Sequence, residues 1–289
     1  MDNSLGVSEL VLSPNGEVYH LRISPEKMAD NIILVGDPKR VDMISKEMDS
    51  VEFRGENREM VYATGYYKQK RITALSTGMG TDNLDIVINE LDAVANIDLR
   101  EKKVLEEKKS LNIIRIGTSG SLQEDLDCGE FIASEYSVGL DGMFYFYRDD
   151  NKVIDLQGTD SFISFMNWSS TLPKPYMVNS SDNLLNRLAF DMPKGITATS
   201  PGFYAPQGRE IRLPLAFKDI NSRLSDFTYN NLKITNYEME SSALYALGRA
   251  LGHNVLTICL IIANRKKSQF LSDYNPRMRE LIRIVLDRI

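Results

Sequence analysis

Short apolar runs rich in β-branched residues alternate along this chain with longer stretches of helical periodicity. The runs predict strands at Asn31–Val35, Arg71–Leu75, Leu111–Ile116, Glu130–Ser134, Gly195–Thr199 and Val255–Ile262. Apolar residues at helical spacing predict one helix from near Asp82, a second over Met239–Leu251 and a last over Pro276–Ile289. This alternation predicts an α/β fold in which helices flank a central mixed β-sheet.

The domain organisation follows from what interrupts this pattern. No linker rich in Pro, Ser or Gly and no internal repeat divides the chain, so we expect residues 1–289 to form a single domain. Leu99–Ser110 carries charges of both signs and predicts a solvated helix end or a surface insertion. The aromatic-rich stretch Asp141–Ser169 has no clear period, and we expect it to pack beside the functional site or at a subunit contact.

Composition narrows the class of protein. The formal net charge of −6 argues against nucleic-acid binding, which depends on clustered positive charge. No stretch is apolar enough to span a bilayer, and the N-terminal sequence does not have the pattern of a signal peptide. Cys128 and Cys259 lie far apart and form no redox or metal-binding spacing. These features predict a cytoplasmic protein without membrane or nucleic-acid partners.

Candidate chemistry lies where predicted strands end. Glycine-rich or polar residues occur there in four segments: Ile33–Arg40, Ser76–Asn83, Arg115–Leu122 and Asn236–Leu244. Strand carboxyl ends are where open α/β sheets bind ligands, glycines allow the backbone to approach a ligand closely, and a helix N-terminus favours an anion. Each segment alone has an ordinary explanation as a turn or a solvated helix start. Their combination indicates a binding site.

The order and spacing of these segments carry a family resemblance. GDPKR, RIGTSGSLQEDLDCGEFI, FYAPQGRE and NYEMES resemble motifs of the nucleoside phosphorylase superfamily, most closely those of uridine phosphorylase. The resemblance covers nearly the whole chain. It implies a nucleoside phosphorylase-like fold and a pentosyltransferase that reversibly cleaves a nucleoside with phosphate into base and ribose 1-phosphate.

The resemblance also implies roles for individual residues. Phosphate would be bound by Gly36, Arg40, Arg58, Arg115 and Thr118, with Arg58 coming from a neighbouring subunit. Ribose would be bound by Glu238, Met239, Glu240 and the neighbour's copy of His20. The base would be bound by Phe203, Gln207 and Arg209. The catalytic residues would be Arg115, Arg209 and Glu240.

The resemblance bears on cofactors and assembly as well. Phosphate is a co-substrate and no organic cofactor is implied, whereas Glu59, Ile72 and Ser76 match positions that bind a monovalent cation such as K+ between subunits in some relatives. The implied assembly is at least a homodimer, and a hexamer built as a trimer of dimers stays open. The Leu99–Ser110 and Asp141–Ser169 segments depart from the family pattern, which puts the hexamer in doubt.

The choice of base rests on chemistry late in the chain. Phosphorolysis passes through an oxocarbenium-like transition state, and a departing purine benefits from a carboxylic acid that protonates it. The corresponding segment reads IIANRKK, with Asn264 and Arg265 and no Asp, which favours a pyrimidine. A purine nucleoside phosphorylase or a hydrolytic nucleosidase remains the alternative. A non-catalytic nucleoside-binding protein on the same fold is less favoured.

Overall fold

The computed structural model of the chain describes residues 4–289. The α-helices in this range are α1 (Pro38–Ser45), α2 (Thr81–Asn96), α3 (Leu156–Met166), α4 (Asp182–Leu188), α5 (Ile220–Asp226), α6 (Ser241–Ala250) and α7 (Asn275–Arg288). Short 3-10 helices lie at Pro25–Lys27, Met143–Phe146 and Ala205–Gln207. The strands are β1 (Asn31–Val35), β2 (Ser50–Asn57), β3 (Met60–Tyr67), β4 (Lys70–Ser76), β5 (Ile97–Asp98), β6 (Lys103–Val104), β7 (Asn112–Ser121), β8 (Phe131–Gly139), β9 (Tyr176–Asn179), β10 (Lys194–Thr199), β11 (Thr228–Tyr229), β12 (Leu232–Glu238), β13 (Asn254–Asn264) and β14 (Gln269–Phe270).

All strands except the small β5–β6 pair join one mixed sheet. Its order is β11-β12-β10-β8-β13-β7-β1-β4-β3-β2, with β14 added beside β13 and β9 beside β8. Strand β12 also pairs antiparallel with β7, through Asn236 opposite Ser121 and Tyr237 opposite Gly120. This extra pairing closes β7, β13, β8, β10 and β12 into a ring, so the end of β12 meets the far end of β7. The predicted α/β fold with a mixed sheet is confirmed.

The central strands are buried on both faces, as parallel strands covered by helices must be. In β1, Ile32 and Leu34 pack in one core with side chains of α2 and α6. Ile33 and Val35 point the other way and pack in a second core with α1, α4 and α7. A third core lies under α3 and α5 at the β10–β12 end of the sheet.

The predicted elements exist, but several bounds differ. The prediction for β1 is confirmed residue for residue, and those for β4, β10 and β13 lie within strands that are longer. The predictions for β7 and β8 each begin one residue too early. The predicted end of β7 at Ile116 is too early, because the strand continues through Gly117–Gly120 to Ser121. Its far half is held by pairing with β13 and β12, which local sequence does not reveal.

The two unusual segments have different structures. Leu99–Ser110 is a mostly exposed surface segment rather than a helix end, because α2 stops at Asn96 and the short strands β5 and β6 follow. Asp141–Tyr147 instead folds back onto α6 and α2. No helix within residues 4–289 is long and apolar enough to cross a membrane.

Candidate active site

A cavity of about 720 Å³ lies where the loops after β1, β4 and β10 and the end of β12 meet the middle of β7. Ten residues that the sequence assigns to phosphate, ribose or base line this cavity: Gly36, Arg40, Arg115, Thr118, Phe203, Gln207, Arg209, Glu238, Met239 and Glu240. Tertiary structure therefore brings together four segments that are spread over about two hundred residues of sequence.

One end of the cavity is cationic and buried. Arg40, on α1, donates through Nη1 to the Ile116 carbonyl oxygen at 3.0 Å, while its Nε has no protein partner. Arg40 has no carboxylate within ion-pair distance in the described part of the chain. Burial, and secondarily the charge of Arg115, lower the pKa of Arg40. A buried guanidinium without a counter-ion is costly, so this end favours an anion.

Glycines make room for these arginines. A Cβ at Gly117 would lie 2.0 Å from Arg115 Nη1, so a side chain at 117 would clash with the guanidinium that folds across it. A Cβ at Gly36 would meet Arg40 Nη2 at 3.3 Å. Glycine within a strand often marks such a close approach. This explains why glycine occupies position 117 within strand β7.

Arg115 is paired with both glutamates of the NYEMES motif. Its Nη2 donates to Glu240 Oε2, and its Nη1 lies 3.2 Å from Glu238 Oε2, with all three side chains almost fully buried. Although burial by itself would lower the pKa of Arg115, the two carboxylates raise it above its ordinary value. Burial raises the pKa of Glu240, and the Arg115 charge opposes that shift. The thiol of Cys259 beside them has a pKa raised by burial to about 12 and stays neutral.

The two glutamates differ in how many protein donors they already serve. Both oxygens of Glu238 accept bonds, from Thr199 Oγ1 at 2.6 Å and from the backbone N–H groups of Glu240 and Ser241. Glu240 accepts the backbone N–H of Gly80 at 2.9 Å, at the N-terminus of α2, besides its bond from Arg115. The anion that the α2 N-terminus favours is thus the Glu240 carboxylate. Glu240 has more capacity left to accept a sugar hydroxyl.

The other end of the cavity is a loop between β10 and α5. The Arg209 guanidinium lies 3.8 Å from the Phe203 ring centroid and donates at 2.6 Å to Gln207 Oε1 and to the Phe203 carbonyl oxygen. Gln207 is buried, whereas Phe203 is about half exposed. The three side chains form an aromatic face with a polar edge, which suits a flat heterocycle.

Arg265 and Tyr237 complete this end, and the sequence had assigned neither a role. Arg265 donates to the Gln207 carbonyl oxygen at 3.1 Å and so ties the loop to the end of β13. Burial, and secondarily the charge of Arg265, lower the pKa of Arg209 to about 10. Tyr237 lines the cavity, and its buried hydroxyl has no protein partner. The only signal for Tyr237 was its place inside the NYEMES motif.

A sequence model described as the phosphorylase superfamily matches residues 30–287. The chain belongs to this superfamily. Among curated relatives, a uridine phosphorylase of Thermococcus kodakarensis is 28% identical over 263 residues, covering 88% of this chain and 80% of the relative. A DeoD-type purine nucleoside phosphorylase of Streptococcus suis is 27% identical over 244 residues, covering 84% of each.

The solved structures agree with this membership of the superfamily. A Trypanosoma brucei nucleoside phosphorylase, described as showing uridine phosphorylase activity, superposes with a TM-score of 0.86 at 28% identity. The superposition covers 96% of this chain and 98% of that one. The predicted relationship to nucleoside phosphorylases, closest to uridine phosphorylase, is confirmed.

Two residues predicted for this superfamily's site lie outside the cavity, on the surface. The backbone N–H and Nδ1 of His20 are held by the Glu90 carboxylate, at 3.0 and 2.6 Å. Asn57 donates to the His20 carbonyl oxygen at 2.9 Å, and the exposed Arg58 follows Asn57 at the β2–β3 turn. His20 and Arg58 therefore lie close together on one outer surface, separate from their own chain's cavity.

The three residues predicted to bind a cation are also separated. Ser76 Oγ donates to the Glu59 carbonyl oxygen at 2.6 Å, so these two are neighbours. Ile72 is four residues earlier in β4, roughly 13 Å along the strand, with its side chain in the core. One ion cannot contact all three within one subunit. Among residues 4–289, no group of three or more His, Cys, Asp or Glu is placed to hold a metal ion.

Proposed function

We propose that this chain is a uridine phosphorylase, which transfers the ribosyl group of uridine to inorganic phosphate. A phosphate oxygen bonds to C1′ as the bond from C1′ to the base nitrogen breaks. The bonding electron pair leaves with uracil, which then takes the proton carried in by phosphate. The products are uracil and ribose 1-phosphate, and the reaction is reversible.

One observation carries this proposal: a single cavity is lined by groups suited to each of the three parts of the reaction, the phosphate, the ribose and the base. Arg40 and Arg115 form a cationic end, Glu240 lies next to Arg115, and Gln207 with Arg209 forms a polar edge beyond it. Guanidinium groups match phosphate oxygens in pairs, and hydrolysis by water would need no such anion site. This supports a phosphorylase over a hydrolytic nucleosidase.

Glu240 is the residue we assign to the sugar. Its carboxylate accepts hydrogen bonds from the ribose hydroxyls and favours the positive charge that develops at C1′. Bound phosphate takes over part of the hydrogen bonding that Arg115 gives to Glu240. The guanidinium then contacts both the phosphate and the Glu240 carboxylate. Met239 and Phe203 supply the apolar walls beside them.

The departing base is stabilised by charge rather than by protonation. Arg209 and Arg265 are close enough to affect each other, and neither has a carboxylate within ion-pair distance in the described part of the chain. A uracil anion supplies the missing negative charge. Asn264 cannot replace a catalytic acid, because its buried amide donates to the carbonyl oxygens of Gln123 and Leu126. This supports a pyrimidine over a purine.

The site is completed by a second subunit in this proposal. His20 and Arg58 sit together on one surface, outside their own cavity, which is the arrangement needed to serve a neighbour's phosphate and ribose. We therefore propose at least a homodimer, with a K+ ion held between subunits by Glu59, Ile72 and Ser76 as a further expectation. Both cysteines are free, which supports a reducing, cytoplasmic location.

A substrate panel tests the function. Uridine, 2′-deoxyuridine, thymidine and inosine are each incubated with and without phosphate, and base release is followed by absorbance. We expect turnover of uridine only with phosphate and little turnover of inosine. Equal uridine cleavage without phosphate would establish a hydrolase. Inosine turnover equal to that of uridine would leave only the superfamily assignment.

A further inference from the structure

The segment Asp141–Tyr147, which directly follows the loop after β8, makes hydrogen bonds that its sequence did not predict. The Asp141 carboxylate is largely buried and accepts bonds from Met143 N at 2.8 Å, Tyr176 OH at 2.9 Å and Ser242 Oγ at 2.9 Å. Burial raises the pKa of Asp141. No Lys, Arg or His forms an ion pair with Asp141 in the described part of the chain, so neutral donors alone hold it. Burying a carboxylate this way is costly and calls for a reason.

The bond from Ser242 connects Asp141 to the start of α6. The Ser242 backbone N–H donates to Thr199 Oγ1 at 3.0 Å, and that hydroxyl in turn donates to Glu238 Oε1 at 2.6 Å. Glu238 accepts the backbone N–H groups of Glu240 and Ser241. A continuous buried chain of hydrogen bonds therefore runs from Asp141 to the turn that carries both glutamates.

The other end of the segment contacts α2. The Tyr147 hydroxyl donates to Asp85 Oδ1 and accepts from Asn89 Nδ2 at 3.1 Å, one and two turns into that helix. The first turn of α2 begins at Gly80, whose N–H donates to Glu240 Oε1. The segment thus contacts α2, whose N-cap N–H binds the Glu240 carboxylate, and α6, whose first residue directly follows Glu240.

We propose that Asp141–Tyr147 is a brace that positions Glu240 for the ribose, with Asp141 as its positioning residue. The assignment of Glu240 to ribose rests on the proposed function. Hydrogen-bond networks of this kind rigidify a site when every member is satisfied, which holds for the Asp141 carboxylate. Because the segment's hydrogen bonds go to none of the residues assigned to phosphate or base, we expect its loss to affect recognition of the sugar hydroxyls first.

The kinetic test compares uridine with 2′-deoxyuridine in the full-length enzyme. The ratio of their kcat/KM values reports the hydrogen bond to the 2′-hydroxyl, and a merely structural defect lowers both substrates alike. We expect Asp141→Asn, Ser242→Ala and Tyr147→Phe each to lower this ratio about threefold to tenfold, as expected for a weakened hydrogen bond. Tyr145→Phe is the matched control, because Tyr145 lies two residues before Tyr147 with similar exposure but donates to the Pro175 carbonyl oxygen.

A second measurement does not depend on activity. Amide hydrogen exchange, read by peptide mass spectrometry, is expected to speed up at Glu240–Ser242 in Asp141→Asn and at Gly80 in Tyr147→Phe. Tyr145→Phe should change neither region. The proposed brace would be contradicted by an unchanged ratio of kcat/KM for uridine to kcat/KM for 2′-deoxyuridine. It would also be contradicted by equal amide exchange at Gly80 in Tyr147→Phe and Tyr145→Phe.

The two measurements separate the brace from the function. If the unmodified enzyme fails to cleave uridine, the function is wrong and the exchange experiment still decides on the brace. If Asp141→Asn does not fold, Ser242→Ala and Tyr147→Phe carry the same comparison, since each removes one hydroxyl and leaves Asp141 in place.

Discussion

The two ends of the cavity are built in different ways. At the phosphate and ribose end, Arg115, Glu238 and Glu240 extend from strand β7 and the β12–α6 turn, and each side chain is at most 5% exposed. At the base end, Phe203, Gln207 and Arg209 lie on a loop, and Phe203 is 51% exposed. The residues assigned to phosphate and ribose extend from the sheet, whereas the residues assigned to the base lie on a loop.

This difference has an energetic consequence. Removing one partner of a buried ion pair leaves an uncompensated charge and costs about 3–5 kcal/mol, whereas a half-exposed loop side chain can change at little cost to stability. The side chains assigned to sugar and phosphate are therefore tied more closely to stability than the partly exposed Phe203 and Arg209 of the base end. Loops that vary on a rigid scaffold are a common route to new specificity.

The largest effect is expected at the buried end. Arg115→Ala removes the shared donor to phosphate and Glu240, and kcat/KM for phosphate should fall by about a thousandfold. The variant should also be less stable, because Glu238 and Glu240 lose their counter-charge. Steady-state kinetics with varied phosphate and a thermal melt measure the two effects. A loss confined to uridine binding would contradict the assignment of Arg115 to phosphate.

Arg209→Ala, at the base end, should lower activity with much less effect on stability than Arg115→Ala. Turnover of uridine is expected to fall by about a hundredfold or more, because Arg209 acts where charge develops on the leaving base. The melting temperature should change much less than in Arg115→Ala. Comparison of kcat and melting temperature in the two variants checks this, and an equally unstable Arg209→Ala protein would show that the base end is not independent of the fold.

Subunit mixing tests whether the phosphate and ribose end is completed by a neighbour. His20→Ala and Glu240→Ala should each be nearly inactive. After subunit exchange, activity should recover to about a quarter of the wild-type rate, because half of randomly mixed dimers carry one intact site of two.

The control for that experiment pairs Arg40→Ala with Glu240→Ala. Both residues line the same chain's cavity, so no hybrid contains an intact site and activity should stay at the level of the separate variants. Exchange is verified with differently tagged subunits. If exchange is complete and the first mixture also stays inactive, the shared site is wrong.

A smaller effect is expected from Gln207→Ala. The variant should lose about tenfold in kcat/KM for uridine and discriminate less against inosine, since one neutral hydrogen-bonding group is removed. The ratio of the two specificity constants is the measurement. An unchanged ratio would place base selection elsewhere, with Tyr237 the next residue to replace.

The smallest effect concerns pH. The raised pKa of Asp141 means that the native state binds more protons than the unfolded state above pH 3.8, the ordinary value for this carboxyl. Its contribution to stability is therefore lost as the pH rises through the folded pKa. The Asp141→Asn variant has no such carboxyl and does not lose stability in this way. The melting temperature of the variant minus that of the wild type should therefore increase from pH 4 to pH 7. A constant difference would mean that the Asp141 pKa is not raised.

Local sequence was sufficient to predict the elements whose hydrophobic pattern depends only on neighbouring residues. The alternation of apolar runs determined the fold class and the bounds of β1, and the four motifs identified ten of the residues that line the cavity. Among the strands of four or more residues, β2, β3, β9 and β12 were not predicted. The mixed burial along β2, for example, gives no clean alternation, because this strand lies at the edge of the sheet.

What the sequence alone determined is which residue types are available, namely arginines, glycines and a pair of glutamates at the ends of predicted strands. Only tertiary structure decided that Arg115 pairs with Glu240, 125 residues away, and that Asp141 connects to the same turn through Ser242. It also decided that His20 and Arg58 face away from their own cavity. The physical reason is that strand pairing and ring closure between β7 and β12 set these distances, and no local period along the chain encodes which distant strands will pair.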